Sequence, residues 1–253
     1  MSQNQPIMSI RLYVALPLAA GSELSLPPGA ARHAQVRRVQ PGEWLTLFDG
    51  GGSDWPAEIL TVGRSEVRVR VGTPQPVARE LPLTVTVALA MPANERMDVL
   101  VEKATELGAA AIQPLVSERS VLRLAGERAE RKRAHWQAVA EAACEQCGRA
   151  RVPVVGAVTT LAHWLPRAPT GTRLLLSLDH DATTPARLDL GAPGTPVCTL
   201  SGPEGGFTPD ELTGARAAGF VATDLGPRVL RAETAPLALL AWLGVQTELP
   251  PAV

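Results

Sequence analysis

Two stretches of this chain combine residue types that could hold a ligand and act on it. The first is Ser201-Gly202-Pro203-Glu204-Gly205-Gly206, in which three of six residues are glycine. Such backbone can adopt positive φ and bring N–H groups close to a ligand. The second is Leu225-Gly226-Pro227-Arg228-Val229-Leu230-Arg231, with Glu233 two residues beyond. Its apolar Leu225, Val229 and Leu230 interleave with Arg228 and Arg231. That mixture suits a pocket that stacks an apolar ring and holds an anion. Either stretch alone could be a plain strand-to-helix turn, so the elements around them decide the reading.

Both stretches sit between a strand and a helix. Val197–Leu200 is a short apolar run with β-branched residues and reads as a buried strand. Thr208 fits an N-cap, with Pro209 at the first helical position and Glu211 completing a capping box. Gly219 fits the helix stop. Val221–Leu225 reads as the next strand, and an apolar helix ending near Gly244 follows the second loop. The two loops therefore lie at the carboxyl ends of two strands, where ligands bind in open α/β sheets. Upstream, Leu83–Ala90 reads as a strand. Asn94 can cap a helix from Glu95 to Leu107, stopped by Gly108. Met97, Leu100, Val101, Ala104 and Leu107 share one face of it. Ala111–Val116 is the next strand, which makes a parallel βαβ unit. Glu127–Gly148 reads as a long helix and Thr172–Leu178 as a further strand.

Residues 10–72 look like a small β-rich unit. Ile10–Leu16, Trp44–Phe48, Ala57–Val62 and Glu66–Val71 are strand-like, with turn signals at Gly50-Gly51-Gly52 and Gly63-Arg64-Ser65. Between the first two strands, Ala31–Val39 carries Arg32, His33, Arg37 and Arg38 on a helical segment. It suits RNA contact, or it is a solvated face. Thr73–Pro82, with Pro74, Pro76 and Pro82, reads as a linker. The expected domains are 1–73 and 83–253.

Other reactive groupings are weaker. Cys144-x-x-Cys147 invites a metal or redox reading, but a tetrahedral zinc site needs four ligands and only Cys198 and distant histidines could complete one. No metal is expected. Asp179-His180-Asp181 reads as a polar loop, and His33 as a structural hydrogen bonder. No Gly-x-Gly-x-x-Gly follows a strand, neither lysine follows a glycine, and no Gly-x-Ser-x-Gly elbow occurs. The sequence thus shows no dinucleotide, P-loop or hydrolase motif. No apolar run approaches the roughly 18 residues of a membrane span. The start, MSQNQPIMS, lacks the pattern of a signal peptide and reads as a frayed tail. Three cysteines argue against a disulfide framework and for the cytoplasm. Net charge is −1, so any nucleic-acid contact must come from local clusters. Of 24 basic residues 22 are arginine, the better partner for phosphate.

GPEGGFTPDE followed by LGPRVLRAETA resembles the carboxyl-terminal signature of the RsmE family, SPOUT methyltransferases that modify uridine N3 in small-subunit ribosomal RNA. Further stretches are similar to the same family. They are Arg11-Leu12-Tyr13, His33…Val36-Arg37-Arg38, Leu47-Phe48-Asp49-Gly50, Arg96-Met97…Glu102 through Gly108, Ser117-Glu118-Arg119-Ser120, and Glu141 through Pro153. The likeness spans Arg11 to about Leu243. The chain departs from it at Arg37, where leucine is usual, and at Glu102, where glutamine is common.

The resemblance implies an α/β fold: a PUA-like RNA-binding β-barrel followed by a SPOUT domain with a deep trefoil knot. The knot would gather the loops after Leu178, Leu200 and Leu225 into one crevice for S-adenosylmethionine. That site would use Leu178, Leu200, Ser201, Gly202, Glu204, Gly205, Gly206, Leu225, Gly226, Arg228, Val229, Leu230 and Arg231. It implies a homodimer and a 16S ribosomal RNA substrate, within the assembled small subunit. Arg11, Arg32, Arg38, Arg119 and Arg149 would meet RNA, with Gln146 and Arg149 near the active site. Uridine N3 carries a proton at neutral pH, so the site needs a proton acceptor or a cation for the resulting anion. Arg231 is the candidate cation. Glu233 and Glu204 are candidates for base or for orienting it, and a structural salt bridge accounts for either equally well. Two rivals are a SPOUT enzyme for a ribose hydroxyl or transfer RNA base, and a non-catalytic RNA-binding module.

Overall fold

The computed structural model describes residues 10–93, 96–178, 182–188 and 190–248. The MSQNQPIMS start, the Asn94 cap, the Glu95 helix start and the Asp179-His180-Asp181 loop fall outside the described residues. The chain forms two units. One comprises residues 1–80 with 144–152, the other 81–143 with 153–253.

The first unit is a mixed sheet. Its strands are β1 (Arg11–Tyr13), β2 (Glu23–Ser25), β3 (Trp44–Phe48), β4 (Ser53–Val62), β5 (Val67–Val71) and β6 (Gln75–Pro76), with helix α1 (Pro28–Val36) after β2. The order is β1-β3-β4-β5-β2, and β6 pairs β4. β5 shows why it folds so. In Val-Arg-Val-Arg-Val the valines are buried and the arginines exposed, the period of a half-buried strand. Its valines join Leu12, Leu45, Leu47, Ala57 and Ile59 in a core closed by Ala30, Ala31 and Ala34 of α1. Two short strands escaped the sequence reading. β2 has three residues and one apolar side chain. β6 lies in the proline-rich stretch read as a linker, where Gln75 and Pro76 pair with Asp54 and Ser53. Proline tolerates such an edge position. The helical segment also starts earlier than expected, with proline in its first turn.

The second unit is a wholly parallel sheet in the order β10-β8-β7-β12-β11-β13, with β9 also on β8. Its elements in chain order are β7 (Thr84–Ala90), α2 (Arg96–Glu106), β8 (Ala111–Val116), α3 (Gly126–Cys147), β9 (Val154–Val155), β10 (Thr159–Thr160), α4 (Leu161–Trp164), β11 (Thr172–Leu176), β12 (Pro196–Ser201), α5 (Pro209–Ala217), β13 (Val221–Thr223) and α6 (Thr234–Glu248). β12 is buried from Val197 to Ser201, as expected of a central parallel strand covered on both faces. Leu200, Cys198, Leu175, Leu115, Trp164 and Phe220 pack in one core, with the Trp164 and Phe220 rings 6.1 Å apart. Burial pushes the Cys198 thiol up to about 12. The last helix runs to Glu248, past the expected stop at Gly244.

Candidate active site

The site is set by strand order. β12 lies between β7 and β11, and β13 lies beyond β11, so three carboxyl ends stand side by side on one edge. Register fixes their level. Leu200 pairs with Leu175, and Thr223 with Leu176. The loops that leave these ends enclose a crevice of about 620 Å³ lined from the second unit alone.

The glycine loop forms one wall. Its shape follows from a tight return: a Cβ on Gly202 would lie 3.3 Å from the backbone of Gly206 and Phe207, so a side chain there would push the loop apart by a few tenths of an ångström. Gly206 takes φ +67°, a left-handed turn that glycine adopts freely. The Thr208–Glu211 capping box then starts α5, with the Thr208 side chain accepting from Glu211 N–H and the Glu211 carboxylate from Thr208 N–H. Phe207 is buried in the core beneath.

The second loop forms the opposite wall. Leu225, Gly226, Arg228, Val229, Leu230 and Arg231 all line the crevice. Val229 is 81% exposed and Leu178 63%, large apolar side chains left open to a ligand. Arg228 and Arg231 are exposed, with no ion-pair partner among the described residues.

Leu200 is a correction. It is fully buried in the sheet core and backs the crevice without lining it. Every other residue expected at the cofactor lines the space, and so do residues the sequence reading passed over, including Ser177, Asp224 and Arg96. Ser201 Oγ, on the lining, is buried with no hydrogen-bond partner.

The two candidate carboxylates differ. Glu204 Oε1 accepts from Ala93 N–H at 3.0 Å and from Arg96 Nη1 at 2.9 Å. Glu233 lies behind the lining; its Oε1 is 3.8 Å from Arg96 Nε, and its Oε2 is buried without a hydrogen-bond partner among the described residues. Arg96 is thus the cation between them. It was quoted only for resemblance, and no spacing in sequence could reveal carboxylates 108 and 137 residues away (204 − 96 and 233 − 96).

The expected RNA contacts divide. Arg32 and Arg38, with Arg37 beside them, are exposed on and after α1, a helix with no acidic residue in its first turn. Arg38 takes φ +56° at the position just past the helix, where glycine is usual. Arg119 is exposed but its guanidinium donates to the Gly205 carbonyl at 2.9 Å. Arg11 and Arg149 are corrections. Arg11 is mostly buried, 2.5 Å from Asp54, donates to the Cys144 carbonyl and stacks over Phe48. Arg149 is 4% exposed and pairs with Glu80. Buried charge needs a partner, and each arginine is occupied by one. Gln146 is exposed, and neither it nor Arg149 lines the crevice. The Cys144 thiol is pushed up by its hydrogen bond with Cys147 and then by burial, so it is an inert packing group.

A parallel sheet with a glycine-walled crevice at the ends of β11, β12 and β13, following a small β unit, defines a SPOUT-type RNA methyltransferase with a PUA-like domain. An RNA methyltransferase domain family matches residues 79–244, and an RNA methyltransferase PUA domain family matches residues 26–72. The chain belongs to the ribosomal RNA small subunit methyltransferase E family. It is 32% identical to that protein of Synechocystis over 98% of this chain and 81% of the relative. The Mycobacterium bovis protein is 36% identical over 85% and 82%. Among solved structures, the Neisseria gonorrhoeae ribosomal RNA small subunit methyltransferase E bound to S-adenosylmethionine superposes with a TM-score of 0.88 at 37% identity, covering 94% of this chain and 98% of that one. A methyltransferase of Legionella pneumophila in complex with the same cofactor gives 0.89 at 34%, covering 95% and 98%.

Proposed function

We propose that this protein methylates N3 of a uridine in 16S ribosomal RNA, with S-adenosylmethionine as the donor. The observation that carries it is the crevice itself: a glycine wall, exposed Leu178 and Val229, and an exposed Arg231 with no ion-pair partner among the described residues, in one space. The residues fit the cofactor. Gly202 lets the loop turn tightly at the crevice wall, Ser201 Oγ lacks a partner among the described residues, and the apolar lining can cover an adenine ring. When bound, the cofactor supplies a methyl group already activated by its sulfonium.

The chain's own work is on the nucleophile. Arg231, permanently charged, stabilises the uracil anion as N3 loses its proton. Glu204 is engaged twice by protein donors, whereas Glu233 keeps Oε2 without one. Glu233, behind the lining, is therefore the one of the two with acceptor capacity left, and Glu204 holds the loop. An N3 target must be unpaired at that edge, in keeping with the preference of RNA readers for splayed bases. Arg32, Arg37 and Arg38 supply charge to the RNA backbone.

The protein acts as a homodimer in the cytoplasm, on the assembled small subunit. The outward stripe of α6 supports pairing with a second copy: Ala238, Ala241, Trp242 and Val245 recur at i, i+3, i+4 and i+7 and stay at least partly open. No helix among the described residues is long and apolar enough to cross a membrane. The deciding experiment maps methylated uridines in ribosomal RNA from cells with and without this protein. A 16S N3-methyluridine that persists without it overturns the reading.

A further inference from the structure

Two consecutive residues of the glycine loop are held by arginines from two different parts of the chain. Glu204 is held by Arg96, the first residue of α2, and Gly205 by Arg119, which follows β8. Arg119 reaches the glycine loop alone. Arg96 also faces Glu233, which belongs to the end of the second loop. We propose that Arg96 is a positioning residue that ties the two loops into one body, so that the glycine loop's fit to its ligand sets the place of Glu233. This rests on the cofactor reading above.

Three observations support it. Arg96 lines the crevice that both loops wall. Its partners come from separate loops: Glu204 Oε1 at 2.9 Å and Glu233 Oε1 at 3.8 Å. Two carboxylates gathered this way repel unless a cation lies between them, and a planar guanidinium can address both at once. Finally, Glu204 Oε1 also accepts from Ala93 N–H, so the segment ahead of α2 is latched to the same carboxylate.

Magnitude separates this role from a merely structural one. The side chains of Arg96 and Glu204 are 35% and 33% exposed. Ion pairs so open to water add little to global stability. Losing the Arg96–Glu204 pair should therefore cost little stability; Glu233, 14% exposed, loses its nearest cation and should shift away from the glycine loop, so the melting temperature falls modestly and the rate falls further than that accounts for.

The test uses the full chain, S-adenosylmethionine and isolated small subunits. Arg96→Met should weaken cofactor affinity by roughly 10-fold in calorimetry. At saturating cofactor it should still slow single-turnover methyl transfer by roughly 10-fold, in line with lost orientation. Arg96→Lys, whose compact ammonium addresses one carboxylate, should recover part of the affinity and little of the rate. Combining Arg96→Met with Glu233→Gln should cost no more rate than the worse single variant, because the two act as one unit. Fully multiplicative losses overturn the proposal, as does a loss that only tracks unfolding. A wild type that fails to bind S-adenosylmethionine overturns the cofactor reading and this inference together. A wild type that binds and turns over, matched in both by Arg96→Met, overturns this inference alone.

Discussion

The arginines of the first unit and those of the crevice carry the same charge in opposite circumstances. Arg149 is buried on the Glu80 carboxylate, and Arg11, mostly buried, is held by Asp54 and the carbonyls of Cys144 and Arg149. Arg228 and Arg231 stand exposed at the crevice, with no carboxylate among the described residues. The first pair holds a fold together, and its charge is cancelled where it sits. The second pair has charge left for something outside the chain. Arg32, Arg37 and Arg38 belong with the second pair although they lie in the first unit. What separates the groups is whether a carboxylate comes within reach, which depends on the fold and not on residue type.

The sharpest way to break that contrast is Arg231→Ala. Single-turnover methylation of isolated small subunits should fall by roughly 100-fold or more, as expected for one preorganised electrostatic group, while cofactor affinity falls much less. Raising the pH should partly rescue the variant, because solvent then deprotonates more uridine. Arg149→Met tests the other side. It strands Glu80 and should cost about 2 kcal/mol in urea unfolding, below the fully buried range because Glu80 keeps 24% exposure. RNA affinity of the folded variant should not change. An Arg149 variant with normal stability and weak RNA binding would erase the distinction.

Smaller effects sharpen it. Gly202→Ala puts a Cβ 3.3 Å from the Gly206 and Phe207 backbone, opening the loop slightly, and should weaken cofactor binding several-fold by calorimetry, with RNA binding unaltered. Alanine at Arg32, Arg37 and Arg38 together should weaken RNA binding several-fold at moderate salt and lower its salt slope by about 2 to 3. Cofactor affinity should stay the same. The last is alkaline. The Cys198 thiol ionises near 9.0 when unfolded and about 12 when buried, so its contribution is intact below pH 9 and is lost as pH rises toward 12. Wild type should lose about 5–9 °C more of its melting temperature between pH 9 and 11 than Cys198→Ala does.

The strands and helices with strong periodicity were legible before the structure: β3 and β8 match residue for residue, and the capping box at Thr208 is where Thr208, Pro209 and Glu211 place it. Short elements were not. β2, β6, β9 and β10 have two or three residues each, too few for any alternation to show. At the site, the two loops could be read because glycine and arginine mark them locally. Leu200 was misassigned because position beside a loop does not tell whether a side chain faces the loop or the core. Arg11, Arg149 and Arg96 were misread or missed for one reason. Their roles are set by Asp54, Glu80, Glu204 and Glu233, partners that only the folded chain brings near.

The place of β12 has a kinetic consequence. It is the central strand on which β7 and β11 both close, yet it pairs with β7 across more than a hundred residues of intervening chain. Such non-local pairing is slow, because loop closure must be met before any contact rewards it. Until β12 arrives the sheet has two open edges and no glycine wall. The ability to hold a ligand is therefore among the last properties a newly made chain acquires. A ligand present at that moment acts on the final step of folding by mass action.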